Sequence, residues 1–508
     1  MDILSNLALG IQYALTWQSL LWCLVGVTLG TVVGVLPGIG AMSTIALLLP
    51  LTLHLDTGQA LIMLAGIYFG AAYGGSTASI LLNVPGTPTA VVACLDGYPM
   101  TRDGRGGVAL VATALASFVG SFIGMVVLMT LAPPLAQVAL RFSSAEYFGL
   151  MLLGLIAAAL FANAAPFRSF AMIALGLLLG VVGTDVSSGQ IRFTGGLLGL
   201  TEGVSIVAVA LGIFGVPEVI RNAGNLNRQK VEAKDITWRS MVPTRDDVRR
   251  SVWPTLRGTA MGGLFGALPG TGGTVATFMS YGLEKRISKT PERFGHGAIE
   301  GVTAPEAANN AAVQTAFIPT LTLGIPGDAV MALMLATLMI HGVIPGPQLV
   351  TGHPEIFWGL AVSFLIGNIL LLILNLPLVG LWVRLITVPY KYLGPAIVVL
   401  ICIGVYSIRN NAFDVWQVLA FGLIGYLLRR LRFEASPLML GVVLGPMMEE
   451  HLRKEMLISK GDLMTFIERP ISAGILAITI GLFALSAWTS WRKRRVLRRA
   501  SEDAASTS

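Results

Sequence analysis

GVTLGTVVGVLPG at residues 26–38 returns in kind as GTAMGGLFGALPG at residues 258–270. Glycine stands at every fourth position, Gly26, Gly30, Gly34 and Gly38 in the first and Gly258, Gly262, Gly266 and Gly270 in the second, 232 positions later. Both ladders run through apolar sequence and end in the same breaker, Leu36-Pro37-Gly38 and Leu268-Pro269-Gly270. A small residue every fourth position makes a stripe along which a second helix backbone can approach closely inside a membrane. Pro-Gly then ends or unwinds the helix. Broken, glycine-rich apolar helices present in duplicate predict a secondary transporter, with solute held where the broken helices of two repeats meet near the bilayer midplane.

Composition agrees. Only 12% of the 508 residues are charged and 54% are hydrophobic, with a mean hydropathy of +0.76, so a soluble core of this size would lack the polar surface to cover it. This predicts an all-α polytopic membrane protein. Met1 to Gln18 contains no Lys or Arg, unlike a cleaved signal peptide, so the first segment is expected to be retained. Cys23, Cys94 and Cys402 lie scattered in apolar sequence without metal-ligand spacing and read as packed thiols, which implies no metal centre. The net charge of +7 gathers in loops and in the tail WRKRRVLRR at 491–499. That placement suits an anionic cytoplasmic leaflet better than nucleic acid.

Apolar segments near the length needed to span a bilayer fall at about 107–132, 145–162, 167–186, 196–219, 355–386, 389–407, 413–428, 435–450 and 471–490. Residues 18–53 and 252–283 each rise, break at Pro-Gly and continue in a short apolar run, the pattern of a re-entrant hairpin whose tip must be buried in protein. Residues 57–95 and 298–341 are interrupted by Asn83-Val84-Pro85-Gly86-Thr87 and by Gly324-Ile325-Pro326-Gly327-Asp328, and read as discontinuous spanning helices. Lys285, Arg286, Lys289 and Arg293 follow the second hairpin, whereas 51–60 after the first carries no Lys or Arg. After the broken helices the bias reverses, with Arg102 and Arg105 following the first and none in 341–355. By the positive-inside rule the two copies lie in opposite senses. The expected organisation is two inverted-topology repeats at 1–220 and 251–450, with about 11 spanning helices plus two hairpins in all. A basic cytoplasmic linker at 221–250 joins them, a terminal loop and last helix at 451–490 follow, and a basic cytoplasmic tail occupies 491–508. Arg141, Arg192 and Arg409 fall outside on this topology.

The stretch 66–110, GIYFGAAYGGSTASILLNVPGTPTAVVACLDGYPMTRDGRGGVAL, with LPGIG at 36–40, resembles the large membrane subunit of the tripartite tricarboxylate transporters. LPGTGG at 268–273, APEAANNAA at 304–312 and LTLGIPGD at 321–328 carry the likeness into the second copy. The resemblance implies cation-coupled uptake of organic carboxylates across a bacterial inner membrane. It also implies two partners, a periplasmic solute-binding protein and a small four-helix membrane subunit.

An anion in a bilayer needs compensation that does not trap it. Helix N-termini supply this through unpaired N–H groups and the positive end of the helix dipole. The short runs after the breaks begin at Gly38, Gly86, Gly270 and Gly327, where glycine admits close approach to the backbone. Polar neighbours complete the candidate substrate set: Ser43 and Thr44, Asn83, Thr87 and Thr89, Thr271 and Thr274. Any one of these hydroxyls could instead bond back to its own helix. Glu306, Asn309 and Asn310 share one helical face and are candidates to hold the coupling cation, the alternative being a structural polar clamp. Asp328, the other carboxylate candidate for a cation, is expected chiefly to cap the helix it opens. Unwound carbonyls near Asn83 and Gly324 suit sodium better than a proton relay, the proton remaining the fallback. Asp96-Gly97-Tyr98-Pro99 reads as a turn leaving the membrane. The five histidines fall mostly in loops.

An intramembrane enzyme acting on a lipid or small molecule is the rival reading. The chain has no HExxH, no GxSxG and no phosphate loop, since PGTGGT at 269–274 lacks the lysine such a loop needs. No cofactor is expected beyond the coupling ion.

Overall fold

Inside a bilayer the apolar environment gives helices no hydrophobic reason to associate, so close van der Waals fit decides which helices pair. In the computed structural model, which describes residues 3–36, 40–83, 85–162, 165–185, 188–223, 238–269, 272–386 and 390–484, both glycine ladders are used this way. The first hairpin climbs through Trp17–Val35 and returns through Ala41–Thr52. Its climbing arm lies on Thr57–Leu82, the first half of the first broken helix. A Cβ at Gly26, Gly30 or Gly34 would come within 2.3–2.4 Å of the carbonyl oxygens of Met63, Ile67 and Ala71. In the second hairpin, Arg245–Gly266 and Gly272–Ile287, the rungs Gly258, Gly262 and Gly266 meet the carbonyl oxygens of Ala304, Ala308 and Ala312 at 2.1, 2.1 and 2.4 Å by the same measure. Those alanines lie on Glu300–Thr315, which opens the second broken helix. A step of four on each ladder is matched by a step of four on its partner. Backbone contact at this range leaves no room for any side chain.

The breaks correspond too. Thr57–Leu82 stops at Asn83, and the second broken helix, continued by Phe317–Leu323, stops at Gly324; both residues are left-handed, with φ of 54° and 68°. Asparagine and glycine tolerate that conformation best, and Pro85 and Pro326 two residues on prevent the helix from resuming at once. The chains restart as Val91–Arg102, after a short turn at Pro88–Ala90, and as Ala329–Ile340.

Polar contacts join segments far apart in the chain. Arg105 pairs with Asp247, Arg250 with Glu300, and Arg257 with Glu284 through both guanidinium edges at 2.7 and 2.8 Å. The buried Asp96 carboxylate accepts the backbone N–H groups of Gly295, Gly297 and Ala298 at 2.8–2.9 Å and the Tyr281 hydroxyl at 3.0 Å. This clasp ties the restart of the first broken helix to the loop after the second hairpin. Elsewhere Arg192 pairs with Glu449, Arg453 with Asp185 and Glu449, and Arg469 with Glu146. Arg192, one of the three residues that the charge rule leaves on the wrong side, is therefore held in ion pairs, and Arg409 donates to the Gly203 carbonyl.

Several expectations change. Asp96–Pro99 is part of the helix Val91–Arg102 and not a turn, because Asp96 is held by the clasp and Pro99 sits in the last turn, where the helix is already ending. The 196–219 span begins only at Ile206; residues before it form loop and a two-stranded antiparallel ribbon, Gly183–Thr184 with Ile191–Arg192. The 355–386 span divides into Pro354–Asn375 and Val379–Ile386 at Pro377, and the 435–450 span runs on to Ile458. A separate N-terminal helix, Ile3–Ala14, packs on Pro354–Asn375, with Gly10 against the Trp358 backbone. Among the described residues six helices are long and apolar enough to cross a membrane, and further apolar helices are shorter.

Candidate functional site

Helix restarts leave backbone donors at their tips, and the fold brings the four together. A cavity of about 450 Å³ is lined by Gly40–Ser43 of the first hairpin, Pro85–Thr89 of the first break, Gly272–Val275 of the second hairpin and Asp328–Val330 of the second break. Gly40 stands at the N-cap of Ala41–Thr52 with φ of 70°, and Gly272 starts its helix with φ of 63°. These positive-φ glycines turn the chain at the hairpin tips; Gly38, Gly270 and Thr271 lie outside the described residues. Gly86 lines the cavity but also packs against Gly34, whose carbonyl oxygen would lie 2.0 Å from an added Cβ. Gly327 rests on Ala316 and is not among the lining residues.

The polar candidates divide. Ser43, Thr87, Thr89, Thr274, Asn309 and Asp328 line the cavity. Thr44 does not; its hydroxyl donates to the Gly40 carbonyl at 3.0 Å within its own helix. Asn83 serves as the left-handed stop and Gly324 as its counterpart, both away from the lining. Thr87 and Thr89 hydroxyls face each other at 3.0 Å, and Thr87, at an N-cap position, makes no side-chain cap. Asp328 does cap: its carboxylate accepts the Met331 N–H at 2.9 Å and the Tyr68 hydroxyl.

Glu306 and Asn310 face a different neighbourhood, between Thr57–Leu82 and the long helix Gly106–Ala139. Glu306 is 2% exposed, lies against the Ser76 and Ser117 hydroxyls, and has one carboxyl oxygen without a partner. Asn310 donates to the Ser117 hydroxyl at 2.8 Å and to the Glu306 carbonyl at 3.0 Å. Nearby, Tyr73 donates to the Asn368 side-chain oxygen, and Asn368 donates to the Phe118 carbonyl at 3.0 Å. A lone carboxyl in such a place is costly unless a proton or cation accompanies it.

Sequence reading missed Tyr68, Phe161, Phe214, Glu218 and Arg429, all of which line the cavity. Phe214 sits in a π-helical turn at Leu211–Gly215, a local widening that no residue pattern announces. Arg429 pairs with Glu218 beside the cavity. Its place at the end of Ala412–Arg430, next to Arg430, gives it the look of an ordinary loop charge. Tyr68 is embedded in the quoted GIYFG stretch, and only its bond to Asp328, 260 positions away, separates it from the apolar residues around it.

A family model described as the tripartite tricarboxylate transporter TctA family matches residues 20–440. The "Uncharacterized 52.8 kDa protein in TAR-I ttuC' 3'region" of Agrobacterium vitis is 50% identical over 495 residues, 97% of this chain and 98% of that protein. The "Uncharacterized protein in TAR-II ttuC' 3'region" of the same organism is 53% identical over 234 residues, 46% of this chain and 97% of that protein. No solved structure matches the chain. With its motifs inside the matched span and its apolar, broken helices, this multi-pass membrane protein belongs to the tripartite tricarboxylate transporter TctA family.

Proposed function

We propose that the chain is the large membrane subunit of a binding-protein-dependent secondary transporter that imports organic carboxylates across a bacterial inner membrane by alternating access. The observation that carries this reading is the single cavity on which two hairpin tips and two helix restarts converge. Helix starts stabilise an anion through their N–H groups without a fixed counter-charge, so the anion can leave again. The cavity's volume lies within the range of small-molecule sites.

Two repeats of opposite sense supply the moving parts. Matching ladders and matching left-handed stops support the repeat, and the ion pairs of Arg105 with Asp247 and Arg257 with Glu284 support a common cytoplasmic face for the end of one repeat and the start of the next. On this reading the chain crosses the membrane about 11 times and carries two hairpins. Coupling is to a cation, sodium ahead of the proton, with the Glu306–Asn310 neighbourhood and the Asp328 restart as candidate seats. An anion entering a negative-inside cell is opposed by about 2.3 kcal/mol per charge per 100 mV, so a divalent or trivalent acid must travel with cations. The periplasmic solute-binding protein and the small four-helix subunit complete the machine.

The test is uptake into proteoliposomes containing both membrane subunits, with the binding protein outside and imposed ion gradients. Accumulation should need a cation gradient and the binding protein. Accumulation that survives collapse of both sodium and proton gradients refutes coupling, and chemical turnover of a lipid or solute without its movement would establish the intramembrane-enzyme reading instead.

A further inference from the structure

The four tips around the cavity are not equivalent. At the second break the Asp328 carboxylate is already engaged by the Met331 N–H and the Tyr68 hydroxyl and offers nothing to an incoming anion. At the first break the corresponding N-cap residue is Thr87, a neutral side chain turned to Thr89 and capping nothing. Facing this side is Asn309, 1% exposed, lining the cavity, with neither its amide nitrogen nor its amide oxygen bonded. A buried amide left wholly unpaired is rare and unfavourable, and it calls for a ligand that pairs with it.

The start of the second hairpin's returning arm closes the same space. Gly272, Gly273 and Thr274 line the cavity at the first turn of a 16-residue helix. A Cβ on Gly273 would lie 3.1 Å from the Asn309 side-chain oxygen and 3.3 Å from the Thr89 methyl. A side chain on Gly273 would press on Asn309 and Thr89 where they line the cavity.

We infer that this corner of the cavity holds a carboxylate group of the substrate, bound by the Asn309 amide N–H with the unpaired amide turned so that its nitrogen faces the cavity, by the Thr89 hydroxyl and by the first N–H groups of Gly272–Ile287, with the Asp328–Tyr68 side of the cavity excluding anions. The inference rests on the carboxylate-transport reading and moves Asn309 from the cation candidates to the substrate contacts. An amide suits the task because it donates to an anion while remaining neutral when the site empties.

The experiment uses the reconstituted three-component system with acetate, succinate and citrate as probes and sodium titrated separately. Asn309→Ala should raise KM for the transported acid about 10- to 100-fold, the loss expected for a hydrogen bond to a charged group, with Vmax kept within a few-fold. Asn309→Asp, nearly the same shape but an acceptor only, should do worse than alanine. Gly273→Ala, whose methyl presses on Asn309 and Thr89, should raise KM for the acid as well. An unchanged KM in Asn309→Ala overturns the inference. So does an Asn309→Asp protein that transports normally with a lowered sodium requirement, because a cation site would welcome the added charge. If wild type takes up none of the three acids while it is folded and partnered, the transport reading falls, and the inference with it.

Discussion

Gly262 and Gly263 are neighbours on one helix, and the structure assigns them opposite responses to the same substitution. A Cβ at Gly262 would stand 2.1 Å from the Ala308 carbonyl oxygen and 2.7 Å from its carbonyl carbon and Cα, all backbone atoms that no rotamer change can move. An ordinary carbon–oxygen contact is about 3.3 Å, so Arg245–Gly266 and Glu300–Thr315 would have to part by roughly 1 Å locally. Overpacking of this kind costs about 1–3 kcal/mol, or about 5- to 150-fold in the folded population. At Gly263 the nearest atom is the Thr315 methyl at 4.0 Å. Alanine there meets only ordinary contact and gains up to about 1 kcal/mol of helix propensity. Thermal unfolding of the two purified variants in one detergent should therefore give a lowered midpoint for Gly262→Ala and an unchanged or raised one for Gly263→Ala. Uptake should follow, because Ala308 immediately precedes Asn309 and a displaced helix carries the amide away from the cavity. Equal midpoints, or a stabilised Gly262→Ala, would refute the ladder as the contact that sets helix spacing.

Glu306→Gln, isosteric but unable to carry a charge, should abolish gradient-driven accumulation while leaving exchange of internal for external substrate measurable by counterflow; accumulation at the wild-type rate removes Glu306 from coupling. Asp96→Ala strands two buried backbone N–H groups and a part-buried third and should destabilise by about 3 kcal/mol, read as a lowered unfolding midpoint. Burial opposes ionisation of Asp247, but hydrogen bonds from Arg105 and Thr244 outweigh it and hold the carboxyl below its usual range. A folded-state value below the unfolded one contributes stability that is present above about pH 3.9 and is lost as pH falls through the lower folded value. Acid unfolding of Asp247→Asn should lack that part of the decline, and identical acid profiles would contradict the assignment. The hairpin glycine Gly40, at φ of 70° and ψ of 153°, holds a backbone conformation open essentially to glycine alone, so Gly40→Ala should lower the unfolding midpoint and uptake although nothing lies within 4 Å of the absent Cβ; an unchanged midpoint would show that conformation does not matter there.

Much was legible in the chain itself because its physics is local. Glycine at every fourth position, Pro-Gly after each ladder and Pro two residues beyond each stop fix where helices approach closely and where they end, whatever surrounds them. The charge of the connecting loops predicts opposite senses for the two copies, and the motifs point to the family. Back-bonding of Thr44 and capping by Asp328 were likewise within reach, since both partners lie within a few residues.

Tertiary structure alone decided the rest. Asp96 sits in a sequence that spells a turn, yet donors some 200 positions away hold it inside a helix. Gly86 lines the cavity, but the need for glycine there comes also from Gly34, which packs against it. Tyr68, Phe214 and Arg429 reach the cavity only because distant helices cross there, and nothing in their neighbours' identities records that crossing. Asn309 and Asn310 are adjacent and identical in kind, but helical rotation of about 100° per residue sends one to the Ser117 hydroxyl and the other, unpaired, to the cavity wall. A sequence states which residues share a face of a helix; which neighbour that face meets is set by packing between segments far apart in the chain.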